Sequence, residues 1–186
     1  MTVTTVSLTL AAASGASAAT VFGFQDAYDP INWTFTNSNA DGSVNTGGAP
    51  ASISLTGGNN GSGGFGTTDY TTTAAAAGTV TFDWDYSTND EPGLDGFGYL
   101  LNGSFSFLTS SPNNGTSTFN VLAGDSFGFR VYTDDNLNGR GNVTISNFSA
   151  PGPVAPPPTP VPEPSTVLSL LVLGGLGAGL KYLKRN

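Results

Sequence analysis

The segment from Val80 to Tyr86 alternates strictly between apolar and polar residues, and this alternation constrains the fold more than any other feature of the sequence. Side chains two positions apart lie on the same face of a β-strand, so the segment has one apolar and one polar face. Such a strand is typical of an antiparallel sheet with one side buried and the other in water. The apolar face comprises Val80, Phe82, Trp84 and Tyr86, and the polar face comprises Thr81, Asp83 and Asp85.

Shorter alternating segments recur throughout residues 20–150, and Asn-Gly, Gly-Gly and Ser-Pro dipeptides, which favour turns, separate them. About eight or nine short strands and no convincing helix are predicted for this region. The prediction is an all-β fold: one antiparallel β-sandwich with a jelly-roll-like or Greek-key topology and an aromatic core. The other alternating groups are Phe22/Phe24, Trp33/Phe35, Ile53/Leu55, Phe97/Tyr99/Leu101, Phe105/Phe107, Phe119/Val121, Phe127/Phe129/Val131 and Val143/Ile145.

The composition excludes several classes of function. The chain has no His and no Cys, so imidazole bases, thiol nucleophiles, disulfides and zinc fingers are absent. Twelve of the 13 acidic residues but only two of the five basic residues lie between 20 and 150, which gives this region a formal charge of -10. A surface this acidic repels phosphates, so nucleic acid is excluded as a partner.

The N-terminal segment, residues 1–19, has the features of a secretory signal peptide. It is apolar, has no charged side chain and ends in the small-x-small sequence Ala16-Ser17-Ala18, which suits signal peptidase. It lacks the basic start that is usual for such a signal. The alternative is an Ala-rich helix that belongs to the domain.

The C-terminal segment has a linker followed by a hydrophobic helix. Residues 151–164 contain eight prolines and predict an extended, stiff linker. Residues 165–186 predict a single transmembrane helix with a basic tail of Lys181, Lys184 and Arg185, which would fix the tail in the cytoplasm. Its uncharged core of 14 residues spans only about 21 Å as a helix, short of the ~30 Å hydrocarbon layer, so a transient anchor is expected.

The string Val161-Pro-Glu-Pro-Ser-Thr166, followed by a short hydrophobic segment and a basic terminus, resembles the PEP-CTERM sorting signal of exosortase systems. The resemblance covers about 26 residues at the end of the chain. It implies that Pro162, Glu163 and Pro164 are the recognition element and that exosortase and the secretion machinery are partners. It further implies a bacterium with an outer membrane and a mature product on the cell surface or in the extracellular matrix. It does not identify the activity of the sandwich.

The segment Asp134-Asp-Asn136-Leu-Asn138-Gly139 matches the start of a calcium loop. Carboxylate and amide oxygens at alternate positions can converge on a hard cation, and Gly139 permits a sharp turn. The remainder of an EF-hand is missing, because Ile145 stands where the bidentate Glu would be. Asp134, Asn136 and Asn138 therefore predict a calcium site in a hairpin loop, and the alternative is a polar turn after Tyr132.

Two further groups of residues bear on function. Five acidic residues between Asp83 and Asp95 include paired carboxylates of the kind that glycoside hydrolysis requires, but no recognisable motif accompanies them, and a solvated acidic edge is favoured. Tyr28, Tyr70 and Tyr132 are candidates for stacking on sugars, with the core or its rim as the alternative location.

Together these features predict a secreted, exosortase-sorted protein with a structural or adhesive role and no enzymatic activity. The alternative is a carbohydrate-binding module that acts on extracellular polysaccharide, with calcium as the one cofactor considered. Self-association through the edges of Gly-rich strands is a further expectation.

Overall fold

The computed structural model describes residues 18–154, which form eleven β-strands and two short 3-10 helices, Asp26–Tyr28 and Pro30–Asn32. The described residues contain no helix that is long and apolar enough to cross a membrane. The strands are β1 Ala18–Phe22, β2 Thr34–Ser38, β3 Ser43–Asn45, β4 Ser52–Thr56, β5 Gly66–Thr73, β6 Gly78–Thr88, β7 Asp95–Leu101, β8 Ser104–Thr109, β9 Asn113–Val121, β10 Ser126–Thr133 and β11 Gly141–Val154.

The strands form two antiparallel sheets, which confirms the predicted all-β sandwich. One sheet has the order β3-β4-β11-β6-β9, and β1 pairs with the C-terminal part of β11 beyond the segment that pairs with β4. The other sheet has the order β2-β5-β10-β7-β8. Consecutive strands from β4 to β7 alternate between the two sheets, so residues close in sequence contribute to opposite sides of one core.

The core between the sheets is dominated by aromatic rings, as the sequence predicts. Trp33 contacts five other rings of the core, and its ring stacks with those of Tyr70 and Phe129 at centroid distances of 4.9 and 5.6 Å. Phe148 packs against Trp33 edge-on at 5.9 Å and stacks on Phe24 at 4.8 Å. Aromatic side chains bury large apolar areas, and these contacts offset the shortage of Leu and Ile in the chain.

The long strand β6 confirms the alternation from which the fold was predicted: Val80, Phe82, Trp84 and Tyr86 are all buried. The prediction is wrong where an alternating pair does not occupy a regular strand. Phe24 is buried but Phe22 is 69% exposed, because Gly23 adopts a φ of +77° between them and ends the period-two geometry.

The ends of the sandwich differ from the predicted boundaries of 20 and 150. Ala18 and Ala19, the last residues of the predicted signal peptide, lie in β1, and β11 continues through Pro151 to Val154. The hydroxyl of Tyr28 donates a hydrogen bond of 2.6 Å to the carbonyl of Pro151. Proline is tolerated there because β6 pairs with β11 only as far as Ser149. The remaining linker, residues 155–164, lies outside the described residues.

Candidate functional site

Four aromatic side chains lie together on the outer surface of the five-stranded sheet. Phe105 and Phe107 project from β8, Tyr132 projects from β10, and Phe65 immediately precedes β5. The ring centroids of Phe65, Phe105 and Phe107 are 6.1, 5.9 and 6.5 Å from that of Tyr132. These four residues, together with Arg130, are called the aromatic face below.

Two glycines of β7 allow the rings to lie close to the sheet. Gly96 is the ladder partner of Tyr132, and a Cβ atom at Gly96 would lie 2.4 Å from the tyrosine ring. A Cβ atom at Gly98 would lie 2.7 Å from the ring of Phe105. Both separations are far below van der Waals contact. A side chain at Gly96 would displace the tyrosine ring, and one at Gly98 would meet the backbone carbonyl of Ser106 as well as the ring of Phe105.

Arg130 supplies the charged part of the aromatic face. Its Nε and Nη2 atoms donate to the two carboxylate oxygens of Asp69, its partner across the β5–β10 ladder, at 2.7 and 2.6 Å. The guanidinium carbon lies 5.6 Å from the ring centroid of Phe105, within range of a cation–π interaction. The hydrogen bonds to Asp69 raise the pKa of Arg130, so the guanidinium stays charged throughout the physiological range.

The aromatic face lines a shallow cavity of about 280 Å³, to which Asp134 also contributes. Phe65 and Phe107 remain 58% and 55% exposed to solvent, whereas most aromatic residues between positions 18 and 154 are buried. Burial raises the pKa of Tyr132, and the negative charge of Asp134 adds to the effect, so the phenol stays neutral and can donate a hydrogen bond. An exposed apolar surface with a few polar groups at its border is typical of a binding site.

The sequence alone did not identify this site. Phe105 and Phe107 alternate as a core-facing pair would, yet both point outward, and Leu108 packs against the core instead. Of the three tyrosines considered for sugar stacking, Tyr28 and Tyr70 are in the core, and only Tyr132 lies on the aromatic face. Phe65 follows a Gly-rich loop with no strand pattern, so no local signal identified it.

The three residues of the predicted calcium loop lie in different surroundings. Asp134 is exposed beside the aromatic face, and Asn138 is also exposed. Asn136 is fully buried, and its side-chain amide donates to the carbonyls of Asn39 and Gly64 at 2.8 and 2.7 Å. Its side chain thus connects three loops, and the calcium site at this loop stays a prediction.

The five acidic residues between 83 and 95 are also divided. The carboxylate of Asp83 accepts hydrogen bonds from Asn147 and Thr116, which lower its pKa, and Asp85 is exposed on the same outer face of β6. Glu91 is exposed in the β6–β7 loop, whereas Asp95 is completely buried. Within residues 18–154, no three acidic side chains are grouped closely enough to form a metal site by themselves.

The predicted sorting residues Pro162, Glu163, Pro164, Lys181, Lys184 and Arg185 lie outside the described residues. The family model of the PEP-CTERM protein-sorting motif matches residues 160–185. The chain carries a PEP-CTERM sorting signal. It is therefore an exported protein, sorted to the cell envelope by an exosortase.

Solved structures that resemble this chain include three carbohydrate-binding modules. The family 35 module from Clostridium thermocellum is 16% identical, with a TM-score of 0.37 over 69% of this chain and 98% of the module. The family 11 module of the cellulase Lic26A-Cel5E from the same organism is 12% identical, with a TM-score of 0.44 over 77% and 99%. The mannan-recognising module TmCBM27 is 15% identical, with a TM-score of 0.42 over 72% and 98%. A likeness this coarse says nothing about a ligand, and no curated protein matches the chain.

Proposed function

We propose that the sandwich of this exported protein binds neutral extracellular polysaccharide through the aromatic face. The observation that carries the proposal is the grouping of Phe65, Phe105, Phe107 and Tyr132 around one shallow cavity, with Phe65 and Phe107 more than half exposed. Complete burial of a phenylalanine side chain is favourable by about 1.5–3 kcal/mol relative to leaving it in water. A ligand that covers the exposed rings would therefore be stabilised by part of this free energy.

The chemistry of the aromatic face suits a sugar ring. A pyranose has apolar C–H faces, which pack on aromatic rings, and a polar edge of hydroxyl groups, which exchange hydrogen bonds. At the border of the cavity, the Tyr132 hydroxyl can donate to a sugar hydroxyl and the exposed Asp134 carboxylate can accept from one. The Asp69–Arg130 ion pair is rigid because it is bidentate, so it presents fixed polar atoms beside the rings.

The charge of the sandwich favours a neutral polymer over an anionic one. Arg130 and Arg140 are the only basic residues between positions 18 and 154, and they pair with Asp69 and Asp41 at 2.6 and 2.7 Å. The same region contains twelve acidic residues. The negative charge of the sandwich would repel a uronate or a sulfated sugar, and no unpaired arginine or lysine between positions 18 and 154 could bind its anionic group. This repulsion does not act on a neutral glycan.

The sorting signal gives this binding a location and a role. Pro162, Glu163 and Pro164 would present the exosortase recognition element, residues 165–186 would hold the chain in the inner membrane during export, and Lys181, Lys184 and Arg185 would fix its orientation. After sorting, the sandwich would act without catalysis on the outer surface or in the extracellular matrix. Its role there would be structural or adhesive, through attachment to the polymer.

Affinity gel electrophoresis of the full-length chain tests this function. Migration is compared in gels with and without a neutral polymer, hydroxyethylcellulose or a galactomannan, and with carboxymethylcellulose. We expect retardation by at least one neutral polymer, little change with salt, and a weaker effect of the carboxymethylated polymer. Phe65→Ala and Phe107→Ala should each reduce the affinity about fivefold, since a stacked aromatic contact contributes roughly 1 kcal/mol.

The matched control is Phe22→Ala, which removes a phenylalanine of the other sheet that is even more exposed than Phe65 and Phe107 and should leave the retardation unchanged. Unaltered migration in every neutral polymer would disprove the proposed function. Equal retardation by the carboxymethylated polymer would retain binding but refute the preference for neutral glycans.

A further inference from the structure

Three rings of the aromatic face lie in a row that crosses the strands. Tyr132 is the middle ring, because β10 lies between β5, which Phe65 precedes, and β8, which carries Phe107. The centroid of the Tyr132 ring is 6.1 Å from that of Phe65 and 6.5 Å from that of Phe107. The strands β5 and β8 are three strand spacings apart, which is about 14 Å. A single sugar ring is similar in size to one aromatic ring, so a ligand that covers the whole row must contain several sugar units.

The surface between β10 and β8 is low because the strand between them has no side chains there. On β7, Gly96 is the ladder partner of Tyr132, and Gly98 is the ladder partner of Phe107. The rings of Tyr132 and Phe105 lie over these two glycines and are half-buried. A glycine within a strand often marks a place where another chain approaches the sheet closely. The middle of the row is therefore a trough whose floor is aromatic.

The trough is open at both of its ends. The two end rings, Phe65 and Phe107, are 58% and 55% exposed, whereas Tyr132 between them is half-buried. A pocket for the end of a polymer would be closed by a wall, and its last ring would be covered by that wall. Since both end rings are mostly exposed, residues 18–154 form no such wall at either end. A polymer that lies in the trough can therefore continue past both Phe65 and Phe107.

The planes of the rings differ in orientation. The plane of Tyr132 makes angles of 25° with Phe65, 44° with Phe107 and 88° with Phe105. The flat surface of a crystalline polysaccharide could stack only on rings that share one plane. A single chain can rotate about its glycosidic bonds and so present successive sugar rings at different angles. The ring orientations therefore favour a separate, dissolved chain over a crystalline surface.

We propose that the aromatic face binds the interior of a single polysaccharide chain, which crosses the strands from Phe65 to Phe107 and is contacted over about three sugar units. The middle unit packs on Tyr132, and the units on either side pack on Phe65 and Phe107. This inference rests on the proposed function and adds to it the length, the direction and the physical state of the ligand. The tests below separate the failure of this inference from the failure of that function.

Isothermal titration calorimetry of the full-length chain with cello- and manno-oligosaccharides, from the monosaccharide to the hexasaccharide, tests the length. We expect the affinity to rise about 2- to 10-fold for each further ring that the ligand covers and to level off near the trisaccharide. Phe65→Ala and Phe107→Ala each remove one end of the row, so both should abolish the gain from disaccharide to trisaccharide. Phe22→Ala, on the other sheet, should retain that gain.

Titration with hydroxyethylcellulose and galactomannan fractions of different chain length tests whether the interior or the end of the polymer is bound. Interior binding gives a constant number of bound protein molecules per gram of polymer. End binding gives a number per gram that falls in proportion to the chain length. We expect the constant number, and we expect weaker retention on microcrystalline cellulose than on the dissolved polymers.

Three results would overturn the inference and leave the proposed function intact. They are a monosaccharide that binds as tightly as the longer oligosaccharides, a number of bound molecules per gram that falls with chain length, and a preference for microcrystalline cellulose. A trisaccharide gain that persists in both Phe65→Ala and Phe107→Ala would move the binding site away from the row and would overturn both. Absence of binding to every oligosaccharide and polymer would likewise disprove the proposed function, and the inference with it.

Discussion

The ring of Tyr132 lies over Gly96, its partner across the β7–β10 ladder, at a separation that leaves no room for a side chain on β7. This contact positions the central ring of the aromatic face. Because the obstructing atoms belong to the end of the Tyr132 side chain, an added methyl group would displace the ring and leave the backbone in place.

Gly96→Ala should therefore weaken polysaccharide binding about 2- to 10-fold, the equivalent of one lost aromatic contact of roughly 0.5–1.5 kcal/mol. Affinity electrophoresis provides the binding measurement and urea denaturation confirms folding. Gly47→Ala is the control, because a Cβ atom there would approach only the side chain of Asn45, at 3.1 Å. Binding by Gly96→Ala that equals binding by the unaltered chain would show that the position of Tyr132 does not matter.

The geometry of the Asp69–Arg130 pair predicts that the protein is more stable with arginine than with lysine at position 130. Arg130→Lys keeps the charge but loses the bidentate fork and the contact with Phe105, so the free energy of unfolding should fall by about 1–2 kcal/mol. Chemical denaturation at pH 7 measures the change. The same substitution at the more exposed pair, Arg140→Lys, should cost less than about 1 kcal/mol. Equal losses at the two positions would contradict the structural difference between the pairs.

The hydroxyl of the buried Tyr28 forms a hydrogen bond with the C-terminal part of β11. It donates to the carbonyl of Pro151 at 2.6 Å and accepts the backbone N–H of Ala75 at 3.2 Å. Tyr28→Phe should destabilise the chain by about 1–3 kcal/mol, because both partners lose a buried hydrogen bond. Tyr70→Phe, which removes a single hydrogen bond to Pro30, should cost less in the same urea denaturation experiment. A larger loss for Tyr70→Phe would refute this ranking.

The ion pair of Asp41 predicts how stability responds to acid. The hydrogen bond from Arg140, and then that from the backbone of Asn59, lower the pKa of Asp41 below its ordinary value of 3.8. A lowered pKa means that the folded state favours the carboxylate. Its contribution is therefore complete above the unfolded pKa and is lost as the pH falls through the folded value. The stability difference between the unaltered chain and Asp41→Asn should be constant between pH 6 and 7 and shrink below about pH 4, as measured by denaturation at each pH. A difference that persists at pH 2 would exclude this ion pair as its cause.

Local patterns predicted the strands well, but they predicted the buried side of only some of them. In β6 the sequence identified the buried face, because its four apolar positions alternate with Thr and Asp, which strongly favour water. In β8 the same period-two rule grouped Phe105 with Phe107 but could not say whether that group faces the core. The outward direction follows from packing, since β8 lies at the edge of its sheet and Leu108 packs against the core.

The burial of Asp95 is a second feature that the local sequence pattern did not predict. In the sequence it belongs to an acidic group beside a Pro-Gly turn, where a solvated edge is the natural expectation. In the structure it is the first residue of β7, lies opposite Thr133 and is completely buried. A local pattern records which residues are adjacent, whereas burial depends on the strands that cover them.

The sequence by itself determined the all-β class, the acidic charge, the absence of imidazole and thiol chemistry, and the PEP-CTERM sorting signal. Each of these is a property of residue types or of their order along the chain, and a sorting signal is recognised in that linear form. Only the tertiary structure decided that Phe65, Phe105 and Tyr132 form one surface and that Asp95 is completely buried. The physical reason is that strand order and register are fixed by the burial of the whole core, which brings together residues that no short segment contains.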